Sequence, residues 1–307
     1  MAATLLRGHP SPTQVMRISG QTLLDWRRRL LQQGGRASNL DWLLDLQAGV
    51  DWQTLQQLRL SPQRELELRT PLLQLEAIWQ QHLRHEEPLQ YLVGRCPWRD
   101  LELMVAPGVL IPRQETELLV EFAQELGEAS GQGPRLWADL GTGSGCLALA
   151  LARTWPDSRG LAVDCSQEAL RQAAANSARY DLEQQLQLLH GSWWEPLHPW
   201  WGQLELVVSN PPYIPQNVWE QLEPLVRDHE PALALRSGTD GLDAVRAIAS
   251  GAPAALAPGG WLLLEHHHDQ SEAALQLLSA AGLEAVQARH DLEGQRRFAI
   301  ARAPQIP

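Results

Sequence analysis

The chain has 307 residues, 44% of them hydrophobic, which suffices for a buried core in one large or two unequal domains. All 25 basic residues are arginine and 36 are acidic, and the net charge of −11 is unevenly placed: residues 1 to 90 carry 10 Arg and 9 acids, net +1, and residues 91 to 307 carry 15 Arg and 27 acids, net −12. A −12 segment is a poor electrostatic partner for a phosphate backbone, so direct nucleic-acid binding is not expected. No run reaches the roughly 18 apolar residues of a membrane span, and "MAATLLRGHPSPTQ" is too briefly apolar for a signal peptide, so a cytoplasmic protein with no membrane association is expected. Cys96, Cys146 and Cys165 have neither disulfide nor metal-ligand spacing and read as small core residues, with no metal.

Residues 1 to 17 read as a loose tail, with Met16 as an alternative start. A small all-helical domain follows over 18 to 90. Leu23, Leu24, Trp26, Leu30 and Leu31 recur at helical spacing before Gly34 and Gly35, and further helical patterns lie at 39 to 47, 51 to 59 and 71 to 85. Its two readings are a packed bundle and a substrate-recognition module, the second resting on its charge and on the run Arg27, Arg28, Arg29. Residues 91 to 112, with "LELMV" and "GVLI" between glycine and proline, predict a hairpin linker.

From 113 to 307 strands and helices alternate, with strands at 135 to 140, 159 to 164, 185 to 190, 204 to 209 and 260 to 266 and two more near the end. This predicts an α/β, Rossmann-like domain with a mixed sheet of about seven strands, one of them antiparallel, covered by helices on both faces.

The first of these strands runs into Asp139, Leu140, Gly141, Thr142, Gly143, Ser144, Gly145 and then an apolar helix. A glycine turn between strand and helix lets the backbone approach a ligand at the carboxyl edge of the sheet, although the same turn also serves purely structural ends. Asp139 stands where it could meet a ligand amine. Asp164 ends the next strand, where a carboxylate accepts from ribose hydroxyls. Trp193, after the third strand, is the candidate to pack on an adenine face, with Trp193 or Trp194 as plain core the alternative. Ribose and adenine without a pyrophosphate loop suggest S-adenosyl-L-methionine.

"VVSNPPYIP", residues 207 to 215, ends the fourth strand in a stiff corner with free carbonyls. Asn210 lies 69 residues after Gly141, about three βα units, so it faces the same cleft as the glycine turn. The Asn210 side-chain oxygen and the Pro211 carbonyl are placed to hold both N–H bonds of an amide acceptor, flanked by Tyr213; catalysis there is positioning and electrostatics.

"DLGTGSG", "VD" at 163 to 164, "SNPPYIP", "EEPLQYLVGR" and "VLIPRQETELLVE" together resemble the HemK/PrmC family, the peptide-chain-release-factor glutamine N(5)-methyltransferases, over about residues 20 to 303. The resemblance implies a class I methyltransferase fold and S-adenosyl-L-methionine as cofactor. As substrate it implies the Gln of the Gly-Gly-Gln motif in class I release factors. It gives Gly141 through Gly145, Asp164 and Trp193 to the cofactor, with Asn210 beside it, and Asn210, Pro211, Pro212 and Tyr213 to the acceptor. Ser192 stands where the family often has an acid, and His267 where glycine is common; His266, His267 and His268 read as a surface loop. "NPPY" is shared with adenine N(6)-methyltransferases, so a DNA or RNA methyltransferase is the first alternative and a non-catalytic cofactor-binding module the second.

Overall fold

A computed structural model describes residues 16–305, so most of the expected tail lies outside the described residues. The chain divides into two compact units, one ending at Val93 and one beginning at Gly94.

The first unit is mostly helical, with its main helices at Gly20–Leu31, Ala37–Leu43, Trp52–Leu60 and Leu72–His85. Leu23, Leu30, Leu40, Leu55, Leu58, Leu75 and Trp79 form its core. Two of the helices begin where side chains take up free backbone donors: Ser19 Oγ accepts from Thr22 N–H at 3.2 Å and Asp51 Oδ1 from Thr54 N–H at 2.7 Å. The unit is not all-helical. β1 (Met16–Ser19) and β2 (Glu65–Leu68) pair antiparallel, so Met16 and Arg17 belong to a strand rather than to a tail. Four-residue strands leave too little alternation to be read from sequence. The arginine run is also not free charge. Arg27 holds Asp41 through two bonds of 2.6 and 2.9 Å, Arg28 pairs with Asp25, and Arg29 grips Glu76 at 2.7 and 2.8 Å.

The second unit opens with an antiparallel hairpin, β3 (Arg95–Trp98) and β4 (Leu101–Met104). Seven strands then form one sheet: β5 (Leu136–Leu140), β6 (Arg159–Asp164), β7 (Leu186–His190), β8 (Leu204–Ser209), β9 (Leu256–Glu265), β10 (Glu284–His290) and β11 (Arg296–Arg302), in the order β10-β11-β9-β8-β5-β6-β7. Only β11 runs against its neighbours, as the sequence predicts. Residues alternate across the sheet. Ala138, Leu140, Leu161, Val163 and Val207 face the core shared with the helices Asp243–Ala255 and Ser271–Ala280. Trp137, Ala162, Leu206 and Val208 face the opposite core, with Glu117–Ala129 and Cys146–Thr154. The order reverses between β5 and β8, and a doubly wound sheet opens its crevice beyond the carboxyl ends of such a pair.

One buried residue bonds both the hairpin and the glycine turn. Asn176, fully buried on the helix Gln167–Arg179, accepts from Met104 N–H at 2.7 Å and donates to Met104 O at 3.0 Å and to Ser144 O, in the glycine turn, at 2.9 Å. An Asn176→Ala substitution strands all three backbone groups, at about 1–3 kcal/mol for each that water cannot reach. Urea unfolding is expected to show a loss of at least about 2 kcal/mol; an unchanged midpoint would mean that Asn176 contributes nothing to holding the hairpin.

Candidate active site

β5 and β8 lie side by side with Asp139 opposite Val208, which brings Gly141 and Asn210, each just beyond its strand, to the same edge. Ser209 Oγ, completely buried, donates to Leu140 O at 2.6 Å and clamps the two ends together. Beyond them opens a cavity of about 630 Å³. Gly141, Thr142, Gly143 and Ser144 line it on one side, Asp164, Ser192 and Trp193 on another, and Asn210 and Pro212 on a third.

Gly141, Gly143 and Gly145 all adopt positive φ (75°, 56° and 86°), which a side chain at these positions would strain. Gly145 is also needed for packing, since a Cβ there would stand 2.7 Å from Leu149 and 3.3 Å from Ala173. The turn is bonded to the second strand end. Asp164 Oδ2 accepts from Gly143 N–H at 2.9 Å and Oδ1 from Ser166 N–H at 2.8 Å, so the carboxylate is fixed while each oxygen keeps a lone pair for a ligand. Burial raises its pKa above the usual carboxylate range. Trp193 holds a left-handed backbone, φ 47°, uncommon outside glycine. Its ring edge lies 3.6 Å from where a Gly141 Cβ would be, so the ring lies over the glycine turn.

At the other strand end Asn210 Nδ2 donates to Thr116 Oγ1 at 2.8 Å, and Thr116 Oγ1 donates to Glu265 Oε2 at 2.7 Å. The Tyr213 hydroxyl lies 3.3 Å from Glu265 Oε1. Burial and the Glu265 charge push the Tyr213 phenol upwards, so it stays a donor. Among the described residues no protein donor reaches Asn210 Oδ1 or the Pro211 carbonyl. Nearby, Arg113 Nη2 bonds Glu230 Oε1 at 2.7 Å, and Glu230 Oε2 accepts from Ile111 N–H at 3.2 Å, which joins the segment before the helix Glu117–Ala129 to the loop after β8.

Most of the residues singled out in the sequence therefore converge, with exceptions. Asp139 does not reach the cavity: it is buried, and its carboxylate accepts the Thr142 hydroxyl at 2.6 Å. Gly145, Pro211 and Tyr213 also stand behind the wall and shape it. Trp194 is the core tryptophan, its indole donating to Ile248 O at 3.0 Å, and Trp193 lines the cavity. Cys165 is exposed and not a core residue, while Cys146 is partly buried against the core; both line the cavity. His266 is fully buried, its backbone paired to β11, so the three histidines are not one surface loop. Sequence reasoning assigned no role to Thr116 and Glu265. Thr116 stands in "LIPRQETE" and Glu265 opens "EHHHDQ", but nothing local marks them as partners.

The Methyltransferase small domain family matches residues 114–228, from the segment before the first long helix of this unit to the loop after β8. A Release factor glutamine methyltransferase from Prochlorococcus marinus is 50% identical over 94% of this chain and 98% of its own. The chain belongs to the release factor glutamine methyltransferase family. A Synechocystis relative of the same name is 39% identical over 93% of this chain and 97% of its own. The hMettl16 catalytic domain shares the fold, with a TM-score of 0.52 at 12% identity over 77% of this chain and 82% of that one. The protein is an enzyme, a protein-glutamine methyltransferase. Among the described residues no helix is long and apolar enough to cross a membrane.

Two buried carboxyls give this methyltransferase a pH signature. Burial pushes both Asp139 and Glu265 up to about 7. A carboxyl whose pKa is higher folded than unfolded binds its proton more tightly in the fold. Its contribution is whole below the unfolded value, about 4, and is lost as pH rises through 7. The melting temperature of the wild type is therefore expected to fall more between pH 5 and pH 8 than that of Asp139→Asn, which has no proton to lose there. Parallel curves would contradict the assignment.

Proposed function

We propose that the protein transfers a methyl group from S-adenosyl-L-methionine to the side-chain nitrogen of the glutamine in the Gly-Gly-Gln motif of class I peptide-chain release factors, in the cytoplasm. The observation that carries this reading is Asn210 Oδ1, an acceptor with no protein donor among the described residues, on the wall of one cavity with a glycine turn and a fixed carboxylate; the Pro211 carbonyl, likewise without a protein donor, follows it in the chain behind that wall. The names of the relatives support the release factor as substrate.

The cavity lining fits the cofactor. Asp164 is held by two backbone donors with lone pairs to spare for a ribose diol, Trp193 offers an indole face, and Gly141 to Ser144 admit close backbone approach. Bound there, S-adenosyl-L-methionine would supply an electrophilic methyl on a sulfonium. The chain's own contribution is to make a poor nucleophile usable. An amide nitrogen keeps its lone pair in conjugation with its carbonyl, and each N–H it donates to Asn210 Oδ1 and the Pro211 carbonyl turns that lone pair and fixes its direction. Both acceptors also stabilise the positive charge that grows on nitrogen as the new bond forms, in a site where dipoles act more strongly than in water. Pro211 and Pro212 keep the corner from relaxing. As the N–C bond formed, the S–C bond to the methyl would break and leave a neutral thioether, and the methylated amide would give one N–H proton to water.

The reading is tested by incubating a class I release factor with the protein and S-adenosyl-L-methionine and locating the modification by tandem mass spectrometry. One methyl on the Gly-Gly-Gln glutamine is expected; methylation elsewhere, or on nucleic acid offered in parallel, contradicts it. Asp164→Ala is expected to weaken cofactor binding by about 1.5–3 kcal/mol in calorimetry, as for loss of hydrogen bonds to a charged group. Asn210→Ala is expected to bind cofactor normally and to lose turnover by about 10²–10³-fold, the scale for removing one preorganised group at the reacting centre. Equal losses of affinity and rate would instead give Asn210 to the cofactor.

A further inference from the structure

Asn210 serves an amide donor only while its oxygen, and not its NH2, faces the cavity. The two ends of a primary amide are nearly equal in size, so packing does not choose between them and hydrogen-bond partners must. The partner of Nδ2 is Thr116 Oγ1 at 2.8 Å, and that hydroxyl also stands 2.7 Å from Glu265 Oε2. A hydroxyl has one proton to give. An ionised carboxylate accepts only, so Thr116 must spend its proton on Glu265 and can only accept from Asn210. Tyr213, whose hydroxyl lies 3.3 Å from the other carboxylate oxygen, cannot supply the missing proton to Thr116. While Glu265 is ionised the chain of donors therefore runs one way, from Asn210 through Thr116 to Glu265, and leaves Asn210 Oδ1 towards the cavity.

We propose that Thr116 and Glu265 are positioning residues that fix the orientation of the Asn210 amide, and that this orientation selects an amide over a carboxylate or carbonyl acceptor. The proposal rests on the reading of Asn210 as the acceptor for the substrate N–H. With the amide reversed, Asn210 would present a donor, which repels the glutamine NH2 and suits a glutamate oxygen. Glu265 is 1% exposed and stands off the cavity, so it reaches the acceptor only through Thr116 and Tyr213; Thr116, also 1% exposed, stands on the cavity wall beside Asn210 with its hydroxyl committed to Asn210 and Glu265. Glu265, on β9, is faced by Thr116 and Glu115 from the segment before the helix Glu117–Ala129, by Tyr213 from the loop after β8 and by Arg297 from β11. Burial and Glu115 favour its neutral form; Thr116, Arg297 and Tyr213 favour the ionised one. A protonated Glu265 can donate to Thr116, which frees the hydroxyl to donate to Asn210 and reverses the chain.

The test is single-turnover methylation of a release factor by the wild type, Thr116→Val, Thr116→Ser, Glu265→Gln and the Thr116→Val/Glu265→Gln double variant, with cofactor affinity and circular dichroism measured on each. Thr116→Val keeps the side-chain shape and loses the hydroxyl. It is expected to slow transfer about 10- to 100-fold, the cost of a misplaced reacting group, with cofactor affinity within about twofold of the wild type. Thr116→Ser restores the rate. The double variant is expected to be no slower than Thr116→Val, because both changes cut one chain. The wild-type rate should fall on the acid side as Glu265 takes up a proton, and the Thr116→Val rate should not. A Thr116→Val protein at wild-type rate, a loss that serine does not recover, or additive losses in the double variant would each overturn the proposal. A wild type that modifies no glutamine would overturn both it and the reading it rests on, whereas an active wild type with an indifferent Thr116→Val overturns it alone.

Discussion

The register of β5 against β8 is the constraint on which the site depends. Asp139 opposes Val208, so the residues that leave the sheet next, Gly141 and Asn210, arise at one level, and the buried Ser209 hydroxyl on Leu140 O fixes that level. A slip of one residue would turn every side chain of β8 to the other face, exchanging the environments of Val207 and Val208 and carrying Asn210 out of the crevice. The register is secured because β8 is apolar on both faces and buried between two cores. Fold stability and site geometry are thus one property of the same six residues.

The second organising feature is the use of buried carboxyls. Asp139 and Glu265 are both 1% exposed, and burying an ionised carboxylate is costly unless donors compensate it. Each is met by a threonine hydroxyl, Thr142 for Asp139 and Thr116 for Glu265, and each of those threonines lines the cavity. Both acids therefore act at one remove, by fixing what faces the ligand. Asp164 differs: it lines the cavity itself, with its two oxygens fixed by Gly143 and Ser166.

What the sequence made legible was local. The glycine turn, the acid ending the next strand and the Asn-Pro-Pro corner are each written in a few consecutive residues whose backbone demands are specific, and the alternation of elements puts them at one sheet edge. Contacts across long separations left no such mark. Thr116 and Glu265 are 149 positions apart, and only the fold makes them a pair. The arginines at 27 to 29 looked like an open basic face because Asp41 and Glu76, which neutralise two of them, lie 14 and 47 positions away. Asp139 was placed correctly on its strand, but its direction was set by Thr142, three residues on. β1 and β2 were missed because neither is long enough to display a period.

The central claim is that Asn210 and Pro211 hold a glutamine amide by its two N–H bonds. The most direct measurement is a crystal structure of the protein with S-adenosylhomocysteine and a release-factor fragment bearing Gly-Gly-Gln, at a resolution that separates the two ends of the Asn210 amide by their partners. The account predicts the glutamine nitrogen within hydrogen-bond distance of both Asn210 Oδ1 and the Pro211 carbonyl, with Asn210 Nδ2 still on Thr116. A glutamine seated elsewhere in the cavity, or an Asn210 that turns its NH2 to the substrate, would contradict it.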